Sequence, residues 1–177
     1  MTLASTLTLC VVASLANAQP TSARSRAGIE LATRVEKIVA VVATDPDAPR
    51  TQLVSARGAS PGDELVVTVT FTNVTTEAID GVRITQPIPA NMRYVENSAI
   101  GPGSEVLYSV DGGATYGQPN ELRVVAADGA RRAATPDDYT HIRWLLKAPL
   151  EAGARGFARL RAIVRAAATA ATERAAE

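Results

Sequence analysis

The residues that could carry out chemistry are few and far apart. The chain has one His and one Cys, which are His141 and Cys10. A serine or cysteine triad needs a His beside a nucleophile and an orienting acid, and a zinc site needs several His or Cys ligands. His141 alternates with apolar Ile142 and Trp144, so we interpret it as a polar position on the outer side of a strand. The sequence therefore predicts no catalytic residue, no metal site and no cofactor.

Acidic pairs are the other residues with chemical potential. They stand in predicted loops, at Asp45 and Asp47, at Asp63 and Glu64, and at Asp137 and Asp138. Paired carboxylates can bind Ca²⁺ or hydrolyse glycosides, but turns attract Asp for local hydrogen bonding. We interpret these pairs as turn residues, and a calcium-binding module remains an alternative.

Composition excludes several classes of function. The 177 residues include 18 basic and 18 acidic side chains, so the formal net charge is zero. A balanced chain has no overall electrostatic attraction to nucleic acid or to anionic lipid. Apolar residues make up 46% of the chain and aromatic residues 4%, which is enough for a packed core but provides little aromatic surface for base stacking.

The N-terminal segment is typical of exported proteins. Residues 1–18 carry no charge and contain a short apolar run that ends in Ala16-Asn17-Ala18, a pattern that signal peptidase can cleave. The run is too short to remain as a membrane-spanning helix, and cleavage would also remove Cys10. We expect export to the periplasm, the cell surface or the medium, with no stable membrane span after cleavage.

Alternating apolar and polar residues predict an all-β domain over residues 29–165. The alternation is clearest at 65–71, 142–146 and 156–164, where one face of each segment is apolar. About eight or nine short strands separated by turn residues favour an antiparallel β-sandwich, and Trp144 is the predicted centre of its core. We interpret residues 19–28 as a flexible leader and residues 166–177 as an Ala-rich, low-complexity tail.

Two stretches of this region are similar to a known module. PGDELVVTVTFTN at residues 61–73 and GVRITQPIP at 81–89 resemble the prokaryotic surface module called the conserved repeat domain, the eleventh domain of unknown function. The resemblance implies an immunoglobulin-like sandwich in a secreted or surface protein, without shared enzymatic residues. Gln86 stands where the family usually has Asp.

The motif residues also have direct structural interpretations. Pro61 and Gly62 favour a tight turn before Asp63, and Asn73 is expected to end its strand by local hydrogen bonding. Pro87 and Pro89 cannot donate to a β-ladder, so they predict an exit from the sheet.

A second motif lies at residues 109–116. Ser109, Asp111, Gly113, Thr115 and Tyr116 match the Ser-x-Asp-x-Gly-x-Thr-aromatic pattern of the Asp-box hairpin. In such a turn Asp111 accepts main-chain N–H bonds and Gly113 takes a left-handed conformation. We interpret the motif as a structural turn.

Arginines at 155, 159, 161 and 165 form a basic stripe along the last predicted strand. They are interpreted as an outward face that guards a sheet edge, with binding of an anionic polymer as the alternative.

Taken together, the sequence predicts a secreted, non-enzymatic module with a structural or adhesive role in the bacterial envelope. Its expected partners are envelope proteins or further copies of itself, joined through sheet edges. Carbohydrate or calcium binding is the alternative function.

Overall fold

The computed structural model describes residues 24–26, 28–41 and 50–166, and over these residues the chain is all-β. The predicted signal peptide, Cys10, the Asp45 and Asp47 pair and most of the predicted tail lie outside the described residues. The strands are β1 (Arg24–Arg26), β2 (Ile29–Ala40), β3 (Thr51–Ser55), β4 (Glu64–Asn73), β5 (Arg83–Pro87), β6 (Met92–Tyr94), β7 (Ser104–Ser109), β8 (Arg123–Val125), β9 (Arg131–Ala133), β10 (His141–Leu146) and β11 (Arg155–Val164).

These strands form two antiparallel sheets that pack as a sandwich. The large sheet has the order β1-β2-β4-β11-β6, with β3 also paired to β2, and the small sheet has the order β5-β10-β7. A separate hairpin joins β8 to β9. The predicted antiparallel β-sandwich is therefore confirmed.

Alternation along β4 and β11 explains why these two strands form the middle of the large sheet. Val67, Val69 and Phe71 of β4 are buried, while the threonines between them are half-buried on the opposite face. β11 alternates in the same way, with alanines and a leucine facing the core and its arginines facing outward. Each strand therefore offers one apolar face to the core.

The core lies between the sheets and is centred on aromatic side chains. Trp144 of β10 is 1% exposed, as expected from its position in the alternating segment. Tyr94, Tyr108 and Tyr139 are also buried, and their ring centroids lie 4.6 to 6.0 Å apart. Tilted aromatic contacts of this kind add to the stabilisation from burial.

Three short strands were not expected from the sequence. Arg24–Arg26, inside the predicted flexible leader, form β1 and pair with the start of β2 through a turn at Gly28, which has a φ of 79°. β3 and β9 are also additional. The side chains of β3 and β9 are mostly exposed, so these two strands lack the apolar alternation by which strands are recognised.

Candidate functional site

The turn before β4 uses the predicted Pro61-Gly62-Asp63 motif. Gly62 has a φ of 91°, a conformation that glycine adopts without strain. Asp63 Oδ2 accepts hydrogen bonds from the Ser60 amide (2.7 Å) and from Lys37 Nζ (3.1 Å). The Ser60 amide, followed by Lys37, lowers the pKa of the Asp63 carboxyl. This carboxylate is therefore engaged in holding the turn against β2.

Asn73 is the last residue of β4 and is fully buried. Its Nδ2 donates to the main-chain oxygens of Glu77 (2.7 Å) and Leu150 (2.8 Å). Its Oδ1 accepts from the amide and hydroxyl of Thr75, at 2.9 and 2.7 Å. The side chain thus binds the local backbone, as the sequence predicts, and also a distant loop that the sequence did not indicate.

Pro87 ends β5 opposite His141, and Pro89 lies beyond the strand. Proline cannot donate a ladder bond, so the chain leaves the small sheet here and enters β6 of the large sheet. The main-chain oxygen of Pro89 accepts from the Met92 amide at 2.8 Å. The two prolines therefore mark the crossing between sheets.

Residues 109–116 form a turn whose side chains serve its own backbone, and we call it the Asp111 turn. Asp111 accepts from the Thr115 amide (3.0 Å) and hydroxyl (2.6 Å), and Ser109 Oγ donates to it at 2.7 Å. Ser109 Oγ also accepts from the amide of Gly113, which has a φ of 89°. The Thr115 hydroxyl and amide, followed by Ser109, hold the pKa of Asp111 well below its usual range.

Arg143 joins the Asp111 turn to the outer face of the small sheet. Its guanidinium carbon lies 3.5 Å from the centroid of the Tyr116 ring, in cation–π geometry. Its Nε donates to Thr85 Oγ1 on the neighbouring strand at 3.2 Å. This stacking connects the turn with β5 and β10.

His141 begins β10 and is half-buried, next to the Asp111 turn. Its Nδ1 lies 3.2 Å from Thr140 Oγ1. Thr140 Oγ1 in turn accepts from the Gly112 amide at 3.1 Å. His141 is therefore part of the same local network that fixes the turn.

The sequence also contains one pattern typical of a catalytic serine that the predictions above did not include. Residues 58–62 read Gly-Ala-Ser-Pro-Gly, which formally fits the Gly-x-Ser-x-Gly pattern of a hydrolase nucleophile elbow. An elbow requires a strand followed by a helix, whereas this segment connects β3 to β4. Ser60 is exposed, and no hydrogen bond links it to His141 among the described residues. The geometry of an activated serine is therefore not formed here.

The acidic pair at Asp137 and Asp138 binds arginines. Arg132 makes a bidentate contact with Asp138 at 2.6 and 2.7 Å, and this contact, followed by the Thr135 amide, holds the pKa of Asp138 well below its usual range. Asp137 accepts from Arg165 at 3.0 Å. Over the described ranges no three His, Cys, Asp or Glu side chains cluster closely enough to hold a metal ion.

Three arginines hydrogen-bond to threonines directly opposite them on the neighbouring strand. Besides the pair of Arg143 and Thr85, Arg155 Nε donates to Thr72 Oγ1 at 3.3 Å and Arg159 Nε donates to Thr68 Oγ1 at 3.1 Å. The interpretation of the β11 arginines as guards of a sheet edge is wrong for most of that strand. β6 and Ile100 pair with the second edge of β11 from Arg159 onward.

The outer edges of β2 and β5 offer little room for pairing with another strand. On one side β2 pairs with β4 from Ile29 to Lys37, and on the other side β1 and β3 cover its two ends. Residues 32–35 remain between them and have no pairing partner on this side among the described residues. The alternation of ladder bonds turns the main-chain groups of Thr33 and Val35 toward this gap. At the outer edge of β5, Pro87 and Arg83 disfavour pairing with a strand of another chain.

Comparison of the chain with protein-family models, curated proteins and solved structures found no match. Within the part of the chain that the structure describes, there is no helix of the length and apolarity that crossing a membrane requires.

Proposed function

We propose that this chain is a secreted, non-enzymatic, immunoglobulin-like module with a structural or adhesive role in the bacterial cell envelope. The proposal rests on one observation: the polar side chains of this chain that could do chemistry bond to its own backbone and side chains instead. Ser109 and Asp111, which resemble catalytic residues by type, are occupied by the backbone and side chains of their own turn. Such groups stabilise a scaffold, and the exposed faces of the sheets are left for contact.

The N-terminal sequence supports the proposed envelope location. The uncharged apolar run and the Ala16-Asn17-Ala18 pattern are typical of a signal peptide. A chain cleaved there has no Cys, so its stability comes from packing, which suits an all-β body with one hydrophobic core cluster.

The location is tested by peptide mass spectrometry on separated cell fractions. The expected result is a processed chain that begins at Gln19 and is recovered from the periplasm, the surface or the medium. An intact chain that begins at Met1 in the cytosol would contradict the proposal. An Ala18→Leu variant, in which the cleavage pattern is removed, serves as the control and is expected to remain unprocessed.

Self-association by strand addition is a finer form of the same proposal. Among the described residues, no strand pairs with residues 32–35 of β2 on the side between β1 and β3, and a short extended segment of another copy can pair with this gap. Thr33→Pro removes an N–H that points into the gap and leaves the bonds to β4 in place. Sedimentation at high concentration is expected to show association that this variant weakens, and a strictly monomeric protein would refute strand addition.

A further inference from the structure

The outer side of β11 carries an aromatic ring between two arginines, and we call Arg155, Phe157 and Arg159 the β11 platform. The three side chains alternate with the inward-facing Gly156 and Ala158, so they share one face of the large sheet. At the rise of an extended strand, the two arginine positions are about 13 Å apart, with the ring midway.

Both arginines of the platform are held in place by their cross-strand threonines. Thr72 accepts from Arg155 Nε and Thr68 accepts from Arg159 Nε. This leaves the two terminal nitrogens of each guanidinium, with their parallel N–H groups, for another acceptor. The threonines therefore restrict each guanidinium while its outer fork stays available.

The platform differs from its neighbour Arg161 in having no acid beside it. Arg161 pairs with Glu64 at 2.9 Å. Among the described residues, no carboxylate lies within salt-bridge distance of Arg155 or Arg159. On the same face, Glu30 lies two strands from Arg155 in register through Thr72, and Arg34 lies two strands from Arg159 through Thr68. Neither platform arginine is neutralised by an ion pair among the described residues, so both keep their charge for a ligand.

Apolar surface lies between and beside the arginines. The Phe157 ring is 38% exposed, and Ile100, which pairs with Arg159, is 53% exposed. The guanidinium carbon of Arg159 lies 5.6 Å from the centroid of the Phe157 ring. An exposed ring flanked by cations suits a ligand that presents both C–H groups and negative charge.

We propose that the β11 platform binds an acidic polysaccharide whose sugars carry carboxylates. The guanidinium forks of Arg155 and Arg159 each bind a carboxylate in bidentate geometry, and Phe157 contacts the apolar side of a sugar ring between them. A stiff polymer with carboxylates at regular intervals can meet both forks at once, which is why a polysaccharide is favoured over an acidic peptide. The inference rests on the proposed adhesive role, because only an exported chain meets such a polymer.

The test measures binding of the processed full chain to polygalacturonate by calorimetry, with pullulan as the neutral polymer and poly-glutamate as the acidic peptide. The variant Arg155→Gln/Arg159→Gln is expected to weaken polygalacturonate binding by about tenfold or more. Phe157→Ala leaves the charge unchanged and is expected to weaken it by about fivefold. Phe157→Leu, which keeps more apolar bulk, is expected to give a smaller loss.

The matched control is Arg57→Gln/Arg131→Gln, which removes the same charge from exposed positions outside β11. It is expected to bind polygalacturonate within about twofold of the natural chain. Thermal unfolding identifies folded variants, and the arginine pair and the two Phe157 variants each test the platform independently.

Three outcomes would overturn the inference. Equal losses in the two double variants would mean diffuse attraction to net charge. If poly-glutamate binds with the same affinity as polygalacturonate, and the Phe157→Ala variant binds it equally well, an acidic protein partner would be indicated. Absence of polygalacturonate binding by a folded, exported chain would refute the platform while leaving the envelope location intact, because cell fractionation tests that location separately.

Discussion

Asn73 Nδ2 lies 2.8 Å from the main-chain oxygen of Leu150, which joins the end of β4 to the loop between β10 and β11. The two residues are distant in sequence, and Asn73 is fully buried. Because the same amide also fixes the loop around Thr75, this single side chain connects three segments at one end of the sandwich.

Asn73→Ala is expected to lower the free energy of unfolding by about 2 kcal/mol or more, because it removes the four hydrogen bonds that this buried side chain makes to Glu77, Leu150 and Thr75. Urea denaturation followed by Trp144 fluorescence measures the loss. Asn120→Ala, at an exposed position, is the control and is expected to change stability by about 0.5 kcal/mol or less. Equal midpoints for the two variants would contradict the role assigned to Asn73.

Gly156→Ala is expected to destabilise the large sheet. A Cβ at position 156 would collide with the ring of Phe71, its cross-strand partner. Overpacking of this kind costs about 1–3 kcal/mol. Gly117→Ala is the control, because the nearest atom to its Cβ would be the flexible end of Glu121 at 3.2 Å, and Leu122 Cδ2 at 3.5 Å would be in ordinary van der Waals contact. A thermal melt that places both variants at the same temperature would contradict the packing described.

Acid is expected to destabilise the fold. The Thr115 contacts lower the pKa of Asp111, and Arg132 lowers the pKa of Asp138. A carboxyl with a lowered folded pKa stabilises the fold fully above its unfolded pKa of about 4, and this stabilisation is lost as the pH falls further. Melting temperatures between pH 7 and 2 measure the effect.

Asp138→Asn is expected to flatten the acid limb of this profile, since the variant carries no carboxyl at that position to protonate. Asp128→Asn removes an equal charge at an exposed site and is expected to leave the limb close to that of the natural chain. Identical profiles for all three proteins would contradict the assignment.

Alkali is expected to destabilise the core. Burial, followed by the hydrogen bond with Tyr94, raises the pKa of Tyr108 far above its usual range. The neutral phenol therefore stabilises the fold below the unfolded pKa of about 10, and this contribution is lost as the pH rises beyond it.

Tyr108→Phe is expected to cost about 1 kcal/mol at neutral pH, from the lost contact between the Tyr108 and Tyr94 hydroxyls. Between pH 9 and 11 its melting temperature is expected to fall less than that of the natural chain. An equally steep fall in both proteins would show that Tyr108 is not the group that titrates.

The sequence predicts the strands whose burial differs between their two faces. Alternation located β4, β10 and β11 to within a few residues, because inward positions there are apolar and most outward ones are Thr, His or Arg. It missed β9, whose three residues are all exposed, since a strand that buries neither face leaves no period-two signal.

The contacts between side chains on different strands depend on how the strands are paired, and the alternation of residues in the sequence does not predict this register. Arg159 hydrogen-bonds to Thr68 only because β11 runs against β4 with these two residues opposite each other. The hydrogen bonds of Asp111 itself were predictable, because its partners Ser109 and Thr115 lie within four residues of it. The contact of Arg143 with Tyr116 depends on a turn meeting a distant strand.

The position of β11 also constrains how the molecule is made. This last strand of the sandwich lies between β4 and β6, so β4 has one neighbour from near the start of the described chain and one from its end. A polypeptide that emerges amino-terminus first leaves Val67 and Phe71 without their β11 neighbours until Arg155–Val164 has emerged. Folding of the large sheet therefore awaits nearly the whole domain, and forming such long-range contacts is slow.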